Sequence, residues 1–156
     1  MVAENAAGDN GGGVASLLGS TLSISQTELR NNRAGGQGGA VFAGADTSLA
    51  LGGRNVLERN EAGSDGGAVF SLASIALGSG GQTALRGNRA VAGQGGALVV
   101  SDATVDVAQG HAMEASGNAA KMDGGAVALL AGAWLAVAAE VALNFTNNTA
   151  GGDGGA

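Results

Sequence analysis

Residues 29–41 read LRNNRAGGQGGAV, and residues 57–69 read LERNEAGSDGGAV. The two segments share one frame: an apolar residue, Asn three positions on, Ala two after that, then Gly-Gly-Ala-Val. Working outward, Gly pairs open at Gly11, Gly38, Gly66, Gly95, Gly124 and Gly154, in steps of 27, 28, 29, 29 and 30 residues. Asn5, Asn32, Asn60, Asn88, Asn118 and Asn148 keep the same beat, each followed two residues later by Ala. Leu29, Leu57, Leu85, Ala115 and Phe145 stand three residues before the last five of these Asn. Self-similarity at a fixed period of this length is the signature of a solenoid, in which each repeat buries its apolar face only against its neighbours.

Between these landmarks lie Leu22-Ser-Ile24, Leu49-Ala-Leu51, Ile75-Ala-Leu77, Val105-Asp-Val107 and Leu135-Ala-Val137. Each alternates apolar with small or polar, the period-two pattern of a strand with one buried face. Gly recurs too often to leave room for more than a short helix. The pattern predicts an all-β chain folded as a right-handed parallel β-helix. It should have about five coils of 27–30 residues and three short strands per coil. Equivalent strands would stack about 4.8 Å apart, giving a rod of about 25–30 Å. Residues 1–156 read as a single domain. Neither end shows a polar capping repeat, so the chain is expected to be a segment of a longer solenoid, or to associate end to end through its uncapped strands.

Composition narrows the class. Gly is 31 of 156 residues, Pro and Cys are absent, 45% of residues are hydrophobic and only 3% aromatic. Collagen is excluded by the lack of Pro and of a three-residue Gly period. Disulfide frameworks and zinc–thiolate sites are excluded by the lack of Cys. A net charge of −6 argues against nucleic acid or an anionic membrane as partner. The start of the chain, MVAENAAGDN, has neither the basic nor the apolar region of a signal peptide. Residues 126–143 (AVALLAGAWLAVAAEVAL) carry one charge, Glu140, at a length marginal for a membrane span. They also fit the repeat in register, so a strand reading is preferred and no membrane span is expected.

The GGA[ILV] and FxxN pair, repeated in phase, resembles the polymorphic outer membrane protein repeat of surface autotransporters. Gly124-Gly-Ala-Val127 and Phe145-Thr-Asn-Asn148 match both halves literally. Leu29, Leu57, Leu85 and Ala115 stand where that family has Phe. The resemblance covers nearly the whole chain. It implies a parallel β-helix displayed at a cell surface or otherwise extracellular. Adhesion to a host or neighbouring-cell surface protein or glycan would follow from it.

Aligned residues of stacked coils form columns, and three are informative. Asn32, Asn60, Asn88, Asn118 and Asn148 would form a structural ladder, each amide bonding its own turn and the next amide. Arg30, Glu58 and Arg86, and likewise Arg33, Glu61 and Arg89, alternate in sign down two columns, which favours one register. Asn10, Gln37, Asp65, Gln94, Asp123 and Asp153 precede the Gly pairs. Asp123 and Asp153 would be neighbours, repelling unless solvated or bridged by calcium. That shared calcium is the only cofactor the sequence suggests; otherwise none is expected.

Catalysis is not expected. His111, the sole His, lies in QGHAM and reads as a solvated loop residue. Asp102 and Asp106 have no acidic partner in adjacent coils. Trp134 falls at an outward phase beside inward Leu135, or packs at a strand edge. The sequence therefore reads as a non-catalytic structural or adhesive segment. The alternative is a fragment of a carbohydrate-active, pectate-lyase-like β-helix enzyme whose site lies in other coils.

Overall fold

A computed structural model describes residues 1–156 and is all-β. Four parallel sheets run along the stack. Sheet 1 contains Val2–Ala3, Glu28–Arg30, Arg54–Glu58, Gln82–Arg86, Ala112–Ser116 and Ala142–Thr146. Sheet 2 contains Ala6–Ala7, Arg33–Ala34, Glu61–Ala62, Arg89–Ala90, Ala119–Ala120 and Thr149–Ala150. Sheet 3 contains Val14–Ser16, Val41–Ala43, Val69–Ser71, Leu98–Ser101 and Val127–Leu130. Sheet 4 contains Thr21–Ser25, Ser48–Gly52, Ile75–Leu77, Thr104–Val107 and Trp134–Val137. Every strand pairs with its equivalents one coil away, so the architecture is a parallel β-solenoid.

Each coil carries four strands where the sequence pattern shows three. The additional strand, in sheet 2, is two residues long, too short to show an alternation of its own. It holds the Ala of the Asn-x-Ala landmark, and Ala34, Ala62 and Ala90 are buried. Residues 126–143 contribute to strands of sheets 3, 4 and 1, and no helix is long and apolar enough to cross a membrane.

The register follows the columns. Leu29 pairs with Leu57, Leu57 with Leu85, Leu85 with Ala115 and Ala115 with Phe145. Leu22, Leu49, Ile75, Val105 and Leu135 align in sheet 4. Leu29, Leu49, Leu57, Ile75, Leu85 and Val105 are fully buried in the central core. Each such side chain contributes about 1.5–3 kcal/mol. A smaller cluster lies on the outer side of sheet 3, where Phe42, Phe70, Val99 and Ala128 alternate with the inward residues. The Phe42 and Phe70 rings stack with centroids 5.8 Å apart and planes within 3°.

Backbone hydrogen bonding continues through the turns. Of 97 backbone–backbone bonds, 54 lie outside the regular strands, and most of these join equivalent positions one coil apart. The Gly pair makes this close approach possible. Its first member sits at positive φ in each coil, from 60° at Gly95 to 69° at Gly154. Its second member touches the next coil directly, and a Cβ on Gly67 would collide with the Gly96 carbonyl oxygen. The residue before each ladder Asn is also left-handed: Glu4, Asn31, Arg59, Gly87, Gly117 and Asn147 have φ between 53° and 63°.

Sheets 1 and 2 have six strands, and sheets 3 and 4 have five. The last coil therefore stops partway round, with Leu135, Val141 and Phe145 only half-buried against the core. Copies joined end to end in ladder register would leave one strand position vacant in sheets 3 and 4.

Two substitutions separate steric from conformational demand. Gly67→Ala is expected to destabilise by more than about 3 kcal/mol, because backbone on the next coil must move. Gly117→Asn meets open space at a φ that Asn31 and Asn147 already adopt in this stack. It should stay within about 0.5 kcal/mol of the parent. Urea melts of the two variants check both.

Candidate functional site

The buried polar groups are the first candidates for chemistry, and the Asn column is the largest set. Asn32, Asn60, Asn88 and Asn118 are at most 1% exposed. They are consumed by a ladder that runs in one direction. The backbone N–H and Nδ2 of Asn60 both donate to Oδ1 of Asn88, at 2.9 and 3.0 Å. Asn88 does the same to Asn118, and Asn118 to Asn148. The second Nδ2 hydrogen turns back to a carbonyl of the preceding coil, as from Asn88 to Leu57 at 2.9 Å. Each central amide thus uses its full donor capacity and both acceptor lone pairs. The left-handed residue before each Asn turns the chain so that the amide points inward.

The corner between sheets 4 and 1 uses different residues for the same task. Asn55 donates to the Gly52 carbonyl at 2.8 Å and accepts the Thr27 N–H at 3.1 Å. One coil on, the equivalent Gly78 carbonyl faces Nδ1 of His111 at 2.7 Å. Nδ1 faces an acceptor and so carries the hydrogen; in the neutral ring Nε2 accepts from the Thr83 hydroxyl at 3.1 Å. QGHAM reads as a solvated loop, but His111 within it is 0% exposed. Its ring rests beside Gly81, whose missing side chain leaves the space. That contact comes from another coil, so local sequence around QGHAM does not show it.

The residues before the Gly pairs follow a rule set by the residue that faces them in the next coil. Oδ1 of Asn10, Asp65 and Asp123 accepts the N–H of Gln37, Gln94 and Asp153, at 2.7, 2.9 and 2.8 Å. In each case the acceptor lies over a glycine of the next coil, Gly36, Gly93 or Gly152, where a Cβ would collide with it. Where the next coil instead has Ser64 or Met122, the residue is Gln37 or Gln94. Asp123 and Asp153 are thus adjacent, with one Asp123 oxygen already committed to the backbone of Asp153. No group of three or more His, Cys, Asp or Glu side chains gathers anywhere on the chain.

The charge columns pair mostly as their signs suggest. Glu61 lies between Arg33 at 3.3 Å and Arg89 at 3.5 Å, and Arg30 reaches Glu58 at 3.6 Å. Arg86 departs from its column and bonds Glu114 on the following coil at 2.8 Å. The hydrogen bond that Arg86 donates to the Glu114 carboxylate, and then the Glu114 charge, raise the Arg86 pKa above its ordinary value. These pairs are partly exposed and contribute about 0.2–1 kcal/mol each.

Charge is segregated between faces. All six Arg lie in sheets 1 and 2 or the turn joining them. Sheet 4 and its two flanking turns carry Asp46, Asp102, Asp106 and Glu140 and no Lys or Arg. The outer surface of sheet 4 is flat, lined by Ala76, Gly78, Ala108, Ala136 and Ala138 beside Asp106 in an open groove of about 510 Å³. Trp134, on the same outward phase, is 66% exposed, and its indole N–H donates to the Thr104 hydroxyl. Comparison with protein-family models, with curated proteins and with solved structures finds no match for this chain.

Loss of one ladder amide should be costly in proportion to its burial. Asn88→Ala strips partners from the Asn60 N–H and Nδ2 and from the Leu57 carbonyl. Each unpaired buried group costs about 1–3 kcal/mol, so the three together should cost at least about 3 kcal/mol of stability. Asn5→Ala, at the exposed end of the ladder, should cost under about 1 kcal/mol. Chemical denaturation of both variants tests the gradient.

Proposed function

We propose that the chain is a structural and adhesive segment of a cell-surface protein, a rigid scaffold whose exposed faces make contacts and which performs no catalysis. One observation carries this reading. The buried Asn, Thr and His side chains are committed to coil-to-coil hydrogen bonds, while the outer faces present repeated columns of small and charged side chains. A stack built in this way holds surface residues at a fixed spacing of about 4.8 Å along several parallel rows. The resemblance to the polymorphic outer membrane protein repeat supports extracellular display, with a surface protein or glycan of a host or neighbouring cell as partner.

The test is adhesion by the isolated chain. Beads coated with the folded protein should adhere to a cell monolayer. Beads coated with the same chain unfolded in urea before coupling should not. Equal retention of folded and unfolded coatings would overturn the reading. Release of reducing sugar from polysaccharide by the folded chain would instead favour the enzyme-fragment alternative.

A further inference from the structure

We infer that the outer face of sheet 4 is a docking surface for a cationic chain, a Lys- or Arg-bearing segment of a partner protein, received between Trp134 and Asp106. The inference rests on the contact function proposed above and names the chemistry of the partner. Trp134 stands on the last strand of sheet 4 and Thr104 on the strand before it, directly paired. The indole N–H bond to the Thr104 hydroxyl holds the ring over the sheet, while the side chain stays 66% exposed. A fixed, accessible indole face is the surface on which an ammonium or guanidinium group rests.

Asp106 supplies the counter-charge. It pairs with Ala136, so it lies one strand across and two residues along from Trp134 on the same face. Sheet geometry puts the two Cα atoms about 8 Å apart, close enough for one extended basic side chain to meet both. The Asp106 carboxylate has no hydrogen-bond or ion-pair partner within the chain. Beside them the groove is lined by small residues such as Ala108, Ala136 and Ala138 together with Leu77, Val107 and Val137, an aliphatic floor along which an extended segment can lie.

Charge then selects the occupant. Asp46, Asp102, Asp106 and Glu140 surround this face without a Lys or Arg, so the field over the groove is negative. An anionic partner is repelled. A neutral saccharide would share the indole platform but needs several hydrogen-bonding side chains around it. Here the Thr104 hydroxyl already accepts from the indole, and the groove lining is aliphatic apart from Asp106.

Trp134 is the only Trp, and the chain has no Tyr, so intrinsic emission reports this face alone. The folded chain is titrated with acetylated tetra-arginine amide and, separately, with a tetramer of N-acetylglucosamine. The peptide should change Trp134 emission saturably. Asp106→Asn should weaken that response about fivefold, and raising salt from about 0.05 to about 0.5 M should weaken it further. Asp9→Asn, an exposed carboxylate of the first coil outside sheet 4, should leave it unchanged. No saturable change, or an equal response in Asp106→Asn, overturns the inference; so does a response to the saccharide in place of the peptide. Adhering beads with a silent Trp134 would keep the contact function and remove this face. A responding Trp134 on beads that do not adhere would do the reverse.

Discussion

The structure depends on hydrogen bonding from each coil to the next, and the Asn column is where that bonding is most demanding. A slender solenoid must turn its chain several times per coil, and each turn brings backbone polar groups inward. Sheets satisfy the strand amides, but a turn has no lateral partner of its own unless the coil above repeats the same turn. The buried amides supply that link. Each accepts two hydrogen bonds from the coil before it and donates to both neighbouring coils. The arrangement works only if successive turns superpose, which requires the left-handed residue before each Asn and the bare glycine backbone where coils touch. Buried unpaired polar groups cost more than formed bonds contribute, so the ladder specifies register more than it adds stability.

That constraint shapes the surface. The interior is a narrow core of Leu, Val, Ile and Ala with Met113, and Phe145 packs against it at the last coil. Phe42 and Phe70 stack outside sheet 3. Charge is free to be distributed by face rather than by coil. The Arg–Glu rows occupy sheets 1 and 2, where alternation in sign supports neighbouring coils. Sheet 4 is left flat, acidic and nearly bare apart from Trp134. The interior polar side chains serve the coil-to-coil links, while the faces differ in chemistry.

Much of this was legible because a solenoid repeats its instructions. The Gly pair, the Asn and the apolar alternation recur in phase, and their columns are the columns of the stack. What is not legible depends on side-chain contacts between coils or on elements too short to show a period. His111 is buried because Gly78, Gly81 and Thr83 of the previous coil receive it. Arg86 bonds Glu114 on the following coil, two residues away from its own column position. Sheet 2 is too short for periodicity to reveal. The pairing of Asn10, Asp65 and Asp123 with glycines of the next coil is present in the sequence, but it becomes visible only when side-chain length is compared between successive repeats.

The central claim is that the buried Asn ladder holds the coils in register. Native-state hydrogen exchange measured by NMR tests it most directly, because the backbone amides of Asn60 and Asn88 donate to side chains and to nothing else. The account predicts that these two protons exchange only through global unfolding, at the same free energy as the strand amides of Leu57 and Leu85. Exchange as fast as at the exposed turn around Gly132, with sheet 1 still protected, would mean that the sheets alone hold the stack and the ladder does not.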